Sequence, residues 1–256
     1  MQNLTKSLAR PESVCNSISI QLPLAAHYCS ILSAGLPKTS NLQYISLSGS
    51  CIGDEGCSHL CEAMKTMHQV KVLDLSDCRL GLTALQSLAV VIHNHRLLRT
   101  SHAWETSFRY RSPQKDVCSG LIRITLNKNP DLGDEGAKKL VEMLTDDPWI
   151  KAIDLQRCNI SDEGAKTLLE MLPSNLTIAI IDLRGNQQVS KFMLSCIEKA
   201  LQSQPRNSEP EKVLVLPLHS RSVDADALEA CEPQRSAVSR HSRILWETAS
   251  QQHPLQ

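Results

Sequence analysis

At 256 residues with 41% hydrophobic residues the chain has ample apolar material for a core, but only 3% is aromatic, which suits many thin, similar layers better than one deep centre. Its 27 basic and 27 acidic residues cancel, so there is no electrostatic case for nucleic acid or an anionic membrane. No apolar run approaches the roughly 20 residues of a membrane span, and the basic start of the chain is followed by no uninterrupted apolar stretch, so no signal peptide is expected.

Residues 1–23 show no clean period and are expected to form an irregular lead-in. Leu24 to Leu36 reads as a helix stopped by Gly35 and Pro37, the trailing half of a unit whose own strand is missing or degenerate. From Leu42 a pattern begins. Leu42, Ile45, Leu47 and Ile52 hold its apolar positions, with Ser50 between the last two, and Val70, Leu73, Leu75, Cys78 and Leu80 repeat it. Leu121, Ile124, Leu126 and Asn129 give a third copy, closed one residue late by Leu132. Ile150, Ile153, Leu155, Cys158 and Ile160 give a fourth; Ile178, Ile181, Leu183 and Asn186 give a fifth, closed late by Val189. This is the L-x-x-L-x-L-x-x-N/C-x-L signature of a leucine-rich repeat. The middle pair of apolar residues points one way from a short strand, and the Asn, Cys or Ser after it can satisfy backbone groups where the chain bends away.

First positions at 42, 70, 121, 150 and 178 give steps of 28, 51, 29 and 28. The long step is one repeat plus roughly 22 residues, an insertion near 99–119. After each strand a helix is expected. Cys57, Leu60, Cys61 and Met64 fall at helical spacing, as do Ala137, Leu140, Val141 and Leu144, then Ala165, Leu168, Leu169 and Leu172. An acidic pair opens these three helices at Asp54, Asp134 and Asp162, where it is expected to cap unpaired N–H groups; the glycine two residues on is expected to let helix approach strand. The helix from Leu82 to His93 lacks the acidic start, and Ser190 to Gln202 forms the last. The fold class is α/β: a leucine-rich repeat solenoid over residues 24–203, with five to six repeats of 28–29 residues, a curved parallel sheet on the concave side and helices on the convex side.

The insertion carries Trp104, Phe108 and Tyr110, with Arg109 and Arg111 between and beside the rings. It reads either as a loop that covers neighbouring repeats or as a docking element, because exposed Trp, Tyr and Arg dominate binding hot spots. Residues 204–256 show no repeat and are expected to be a poorly ordered tail, with a short helix near Asp224 to Cys231.

No nucleotide, metal or nucleophile motif occurs, and no enzyme or cofactor is expected. Among the ten cysteines there is no C-x-x-C pair; the nearest approach to a zinc cluster, Cys51, Cys57 and Cys61 with His59, is irregular, so buried free thiols of a reducing compartment are expected. His93, His95 and Arg96 read as a basic group at a helix end, held there by the dipole. The concave face is the expected surface for protein partners. It presents Tyr44, Asp74, Arg123, Asn127, Asp154, Gln156, Asp182 and Arg184, and the column of Asp74, Asp154 and Asp182 suits a basic partner. A ribonuclease inhibitor would need a more acidic, more aromatic face than this chain offers.

The 28/29 alternation and the xGDEGAxxL helices resemble the ribonuclease-inhibitor class of leucine-rich repeats. More narrowly, WETSFRYRSP, GLIRITLNKNPDLGDEGA, WIKAIDLQRCNISDEGAKTLLEML and IIDLRGN, in that order, are similar to the repeat domain of the centrosomal protein of 78 kDa family, whose RYR-P element matches Arg109 to Pro113. The resemblance spans roughly residues 25–204. It implies a non-enzymatic scaffold of the centrosome, centrioles and ciliary basal bodies, within the cytoplasm and its cytoskeleton. It also implies a role in cilium assembly and, alternatively, restraint of a centrosomal ubiquitin ligase. That family's members are longer, with more repeat sequence before this region and a coiled coil after it, so the chain is expected to be a truncated form.

Overall fold

The computed structural model describes residues 17–107 and 120–204. Six three-residue strands, β1 (Ser17–Ser19), β2 (Tyr44–Ser46), β3 (Val72–Asp74), β4 (Arg123–Thr125), β5 (Ala152–Asp154) and β6 (Ile180–Asp182), pair in chain order into one parallel sheet. Between and after them run α1 (Ala26–Gly35), α2 (Gly53–Met64), α3 (Leu82–Ser107), α4 (Gly133–Leu144), α5 (Asp162–Met171) and α6 (Lys191–Ser203), with a 3-10 turn at Leu36–Lys38. Each strand and helix packs against its nearest copy, and the α/β leucine-rich repeat solenoid expected from the periodicity is the fold.

The core is the repeat pattern itself. Leu42, Val70, Leu121, Ile150 and Ile178 are buried, as are the strand-centre residues Ile45, Leu73, Ile124 and Ile153. The register sets Ile18, Ile45, Leu73, Ile124, Ile153 and Ile181 side by side, a continuous apolar file through the sheet. No single unit could bury this file alone.

The Asn/Cys/Ser position is the polar seam of the core. Asn129 Oδ1 accepts from the Cys78 and Leu80 N–H groups (both 3.1 Å), while its Nδ2 donates to the Leu75 and Leu126 carbonyls. Asn186 does the same two repeats later, accepting from Cys158 and Ile160 and donating to Leu155 and Leu183. Where Cys stands, the thiol donates only: Cys78 Sγ to the Leu47 carbonyl at 3.0 Å and Cys158 Sγ to that of Leu126 at 3.1 Å. Ser50 Oγ bonds the Ile20 carbonyl at 2.8 Å. Burial pushes the two thiols up, Cys78 to about 12 and Cys158 to about 11, so they stay protonated donors.

Five expectations change. Residues 17–20 are not lead-in: β1 pairs with β2, so α1 completes a whole unit, and Ile18, Ile20 and Leu24 are buried in it. The helix after β3 does not stop at His93 but continues to Ser107, taking in the first part of the expected insertion. His93, His95 and Arg96 therefore lie mid-helix, without a dipole end to hold them. The acidic helix starts act between repeats rather than on their own helices. Asp54 accepts from the Gly81 N–H (2.7 Å), Asp134 from the Ser161 N–H and hydroxyl (2.7 and 2.6 Å), and Asp162 from the Ser190 N–H (2.6 Å). Finally, Gly164 clears its neighbouring helix rather than a strand: a Cβ there would collide with the Asp134 carboxylate and crowd its Cα. The expected tail, with its helix at Asp224 to Cys231, lies outside the described residues.

Candidate protein-binding surface

Strand alternation sends Tyr44, Val72, Arg123, Ala152 and Ile180 in one file, and Ser46, Asp74, Thr125, Asp154 and Asp182 in the next, both away from the core file. Asn127, Gln156 and Arg184 follow two residues beyond the second. All eight strand-borne candidates thus lie on one sheet face.

The carboxylates of this face are held from within. The Arg123 guanidinium forks onto Asp154 from the adjacent strand, with Nε to Oδ2 at 2.8 Å and Nη2 to Oδ1 at 2.9 Å, and Thr125 Oγ1 donates to the same carboxylate at 2.8 Å. Asp154 is only 3% exposed, so it positions Arg123 and Thr125 rather than meeting a partner itself. Asp182 receives Arg184 through Nε and Nη2 and Gln156 Nε2 at 2.7 Å. Burial alone would raise the Asp182 carboxyl, but these bonds with the Arg184 N–H outweigh it and hold the group below the usual carboxylate range. Asp74 accepts from Ser46 Oγ (3.0 Å), Ser76 Oγ (2.7 Å) and the Ser76 N–H (3.0 Å). Asn127 Oδ1 accepts from the Gln156 N–H at 2.7 Å. The acidic column expected to attract a basic partner is therefore largely compensated, and the face it offers is a fixed array of hydroxyls, amides and paired charges.

The insertion residues fare differently. Trp104 lies in the last turns of α3, and Phe108, Arg109, Tyr110 and Arg111 lie outside the described residues. At the root of this segment the structure shows a buried junction that sequence reasoning missed. Arg99, 4% exposed, stacks its guanidinium over the Trp149 ring at 5.0 Å and donates to the Leu121 carbonyl. One turn earlier, His95 Nε2 bonds the Met64 carbonyl at 2.8 Å and Nδ1 accepts the Leu121 N–H. Burial lowers the His95 pKa and keeps it neutral, the form this pair of bonds requires. Nothing local in the sequence distinguishes these side chains from solvated ones; only the return of the chain at Gly120 and Leu121 brings them in.

Cys57 and Cys61 sit one turn apart with sulfurs 3.9 Å from each other, buried free thiols. Among the described residues no group of three or more His, Cys, Asp or Glu is placed to hold a metal ion. No helix there is long and apolar enough to cross a membrane.

The Leucine Rich repeat family model matches residues 39–61, 67–89 and 147–169. The chain is 34% identical over 191 residues to the Protein Cep78 homolog of Drosophila melanogaster, covering 74% of this chain and 23% of that protein. It is 35% identical over 181 residues to the human Centrosomal protein of 78 kDa, covering 71% of this chain and 26% of the relative, and 32% identical over 214 residues to the mouse protein. The chain thus spans about a quarter of the length of the curated relatives it matches. Among solved structures, the Caenorhabditis elegans tropomodulin C-terminal domain aligns over 78% of this chain and 90% of that one, at 11% identity and a TM-score of 0.42. With identity of 32–35% running over 71–84% of its residues, through the very repeats that build the sheet, the chain belongs to the centrosomal protein of 78 kDa family of leucine-rich repeat proteins.

Proposed function

We propose that the chain is a non-enzymatic scaffold that binds protein partners at the centrosome and centriole and serves cilium assembly, using the strand-borne face and the segment from Trp104 to Pro113. The similarity to proteins named as centrosomal carries the location. The pre-ordered face supports the binding role: with Arg123, Gln156 and Arg184 already fixed by carboxylates, a partner meets polar groups that lose little rotamer freedom on docking. Restraint of a ubiquitin ligase is the narrower form of the same role, with the ligase component as the partner.

The test is proximity labelling from a tagged copy in ciliated cells, beside a variant carrying Trp104→Ala, Arg109→Glu and Arg111→Glu and a second carrying Arg123→Ala and Gln156→Ala. Centriolar proteins labelled by the parent and lost by either variant support the role and say which surface serves it. Diffuse labelling, alike for all three, sinks it.

A further inference from the structure

The outward side of the solenoid helices follows a rule that α3 breaks. On α2, α4 and α5 the solvent ridge is a ladder of charges: Glu62 pairs with Lys65, Glu135 with Lys138, Lys139 with Glu142 and Lys166 with Glu170. On α3 the buried face is formed by Leu85, Leu88, Val91, Ile92, His95 and Arg99. Opposite it stand Val90, 45% exposed, and Leu97, 53% exposed, seven residues apart and so on one line. Leu98, 49% exposed, widens the strip. With Leu82, 41% exposed, this helix thus sets four large apolar side chains in solvent among its polar ones, where the neighbouring helices set charges.

The strip is also one-signed. Between Leu82 and Trp104 the chain has no Asp or Glu, and the polar residues bordering the exposed strip include His93 and Arg96, which bond each other at 3.2 Å. Arg96 is aimed further at the Asp146 carbonyl, which keeps its charge at the edge of the apolar line.

We propose that the outward ridge of α3 docks an amphipathic helix of another protein, apolar at seven-residue spacing and acidic along its flanks. Val90 and Leu97 are about two turns apart, roughly 10 Å, a distance that anchors at i and i+7 of a partner helix match. Acidic flanks complement the Arg96 guanidinium, which a basic helix would meet with repulsion. This surface stands apart from the strand-borne face, and the inference does not rest on that reading.

The probe is a synthetic leucine-bearing peptide of roughly 16 residues with glutamates on its flanks, compared with a counterpart carrying lysines instead, each titrated into the full chain by fluorescence anisotropy. The glutamate peptide is expected to bind at least about tenfold more tightly than the lysine one. Leu97→Glu, and separately Val90→Glu, should each weaken it by about tenfold or more, while Ser58→Glu on α2, which adds the same charge to a neighbouring outward ridge, leaves it unchanged. Circular dichroism melts confirm that all three variants fold. Equal binding of both peptides, no binding of either, or binding indifferent to Leu97→Glu overturns the proposal. So does a concentration-dependent dimer of the parent chain that Leu97→Glu abolishes, which would assign the ridge to a second copy.

Discussion

The residue that most concentrates stability is Asn129, because one side chain closes two N–H groups and two or more carbonyls where two repeats diverge from the sheet. Its replacement strands buried backbone groups. Asn129→Ala should cost about 3 kcal/mol, measured by urea unfolding. Cys158→Ala removes a single thiol donor and should cost about 1 kcal/mol, so the two variants rank the same position by the number of bonds lost. Asn129→Cys should fall between them, since a thiol reaches the preceding carbonyl but cannot accept from the Cys78 and Leu80 N–H groups. His95 gives a second residue-scale expectation. Its folded pKa lies below the ordinary 6.5, so the unfolded chain takes up the proton first as pH falls. The stability that neutral His95 provides is complete above pH 6.5 and declines as pH drops from 6.5 toward the folded value. Melting temperature should therefore fall between pH 7.5 and 5.5 in the parent chain and fall less in His95→Gln.

At the scale of elements, the junction between α4 and α5 shows how a helix start ties two repeats. Asp134 bonds the Ser161 N–H and hydroxyl, and the space its carboxylate occupies is open only because residue 164 has no side chain. Gly164→Ala should destabilise by about 2 kcal/mol through overpacking, and Asp134→Ala by about 1 kcal/mol through two lost bonds. The double variant should cost less than the two together, because removing the carboxylate relieves the collision; a double-mutant cycle reads the difference directly. A simple sum would mean that the Asp134 backbone, not its carboxylate, is what Gly164 accommodates. The DEG triplets were legible as helix starts, yet their partners were not. A sequence shows which residue begins a helix, but whether its carboxylate turns back on that helix or across to the next depends on packing distance. The same limit hid the length of α3. Leu82 to His93 carries a clean inward period, whereas beyond it Leu97 and Leu98 face outward and the buried positions are His95 and Arg99, residues that read as solvated.

Across the whole molecule, local periodicity was enough for the architecture, because a leucine-rich repeat writes its core position by position and each copy checks the others. Where a copy lost its leucines the reading failed: Ser17–Ser19, framed by serines and only three residues long, gives no signal until β2 pairs with it. The candidate face was legible in its membership and not in its charge, since Arg123 and Asp154 are 31 residues apart and meet only through sheet register. The solenoid's stability should also vary along the sheet. β5 is buried at every residue, with a neighbour on each side, whereas β6 is half-buried throughout and its Ile180 and Ile181 contribute less apolar burial. In a quasi-one-dimensional fold each unit's stability is its own plus that of its two interfaces, so opening should proceed from β6 and α6 inward. Amide hydrogen exchange should find the β6 and α6 amides exchanging at least about tenfold faster than those of β4 and β5, a gap of about 1.4 kcal/mol. Asn186→Ala should widen that gap, because it cuts the polar seam between β5 and β6, while Ser50→Ala at the other end should leave it alone. Uniform exchange across β4, β5 and β6 would show instead that the repeats open as one cooperative block, with the interface terms outweighing the differences in burial.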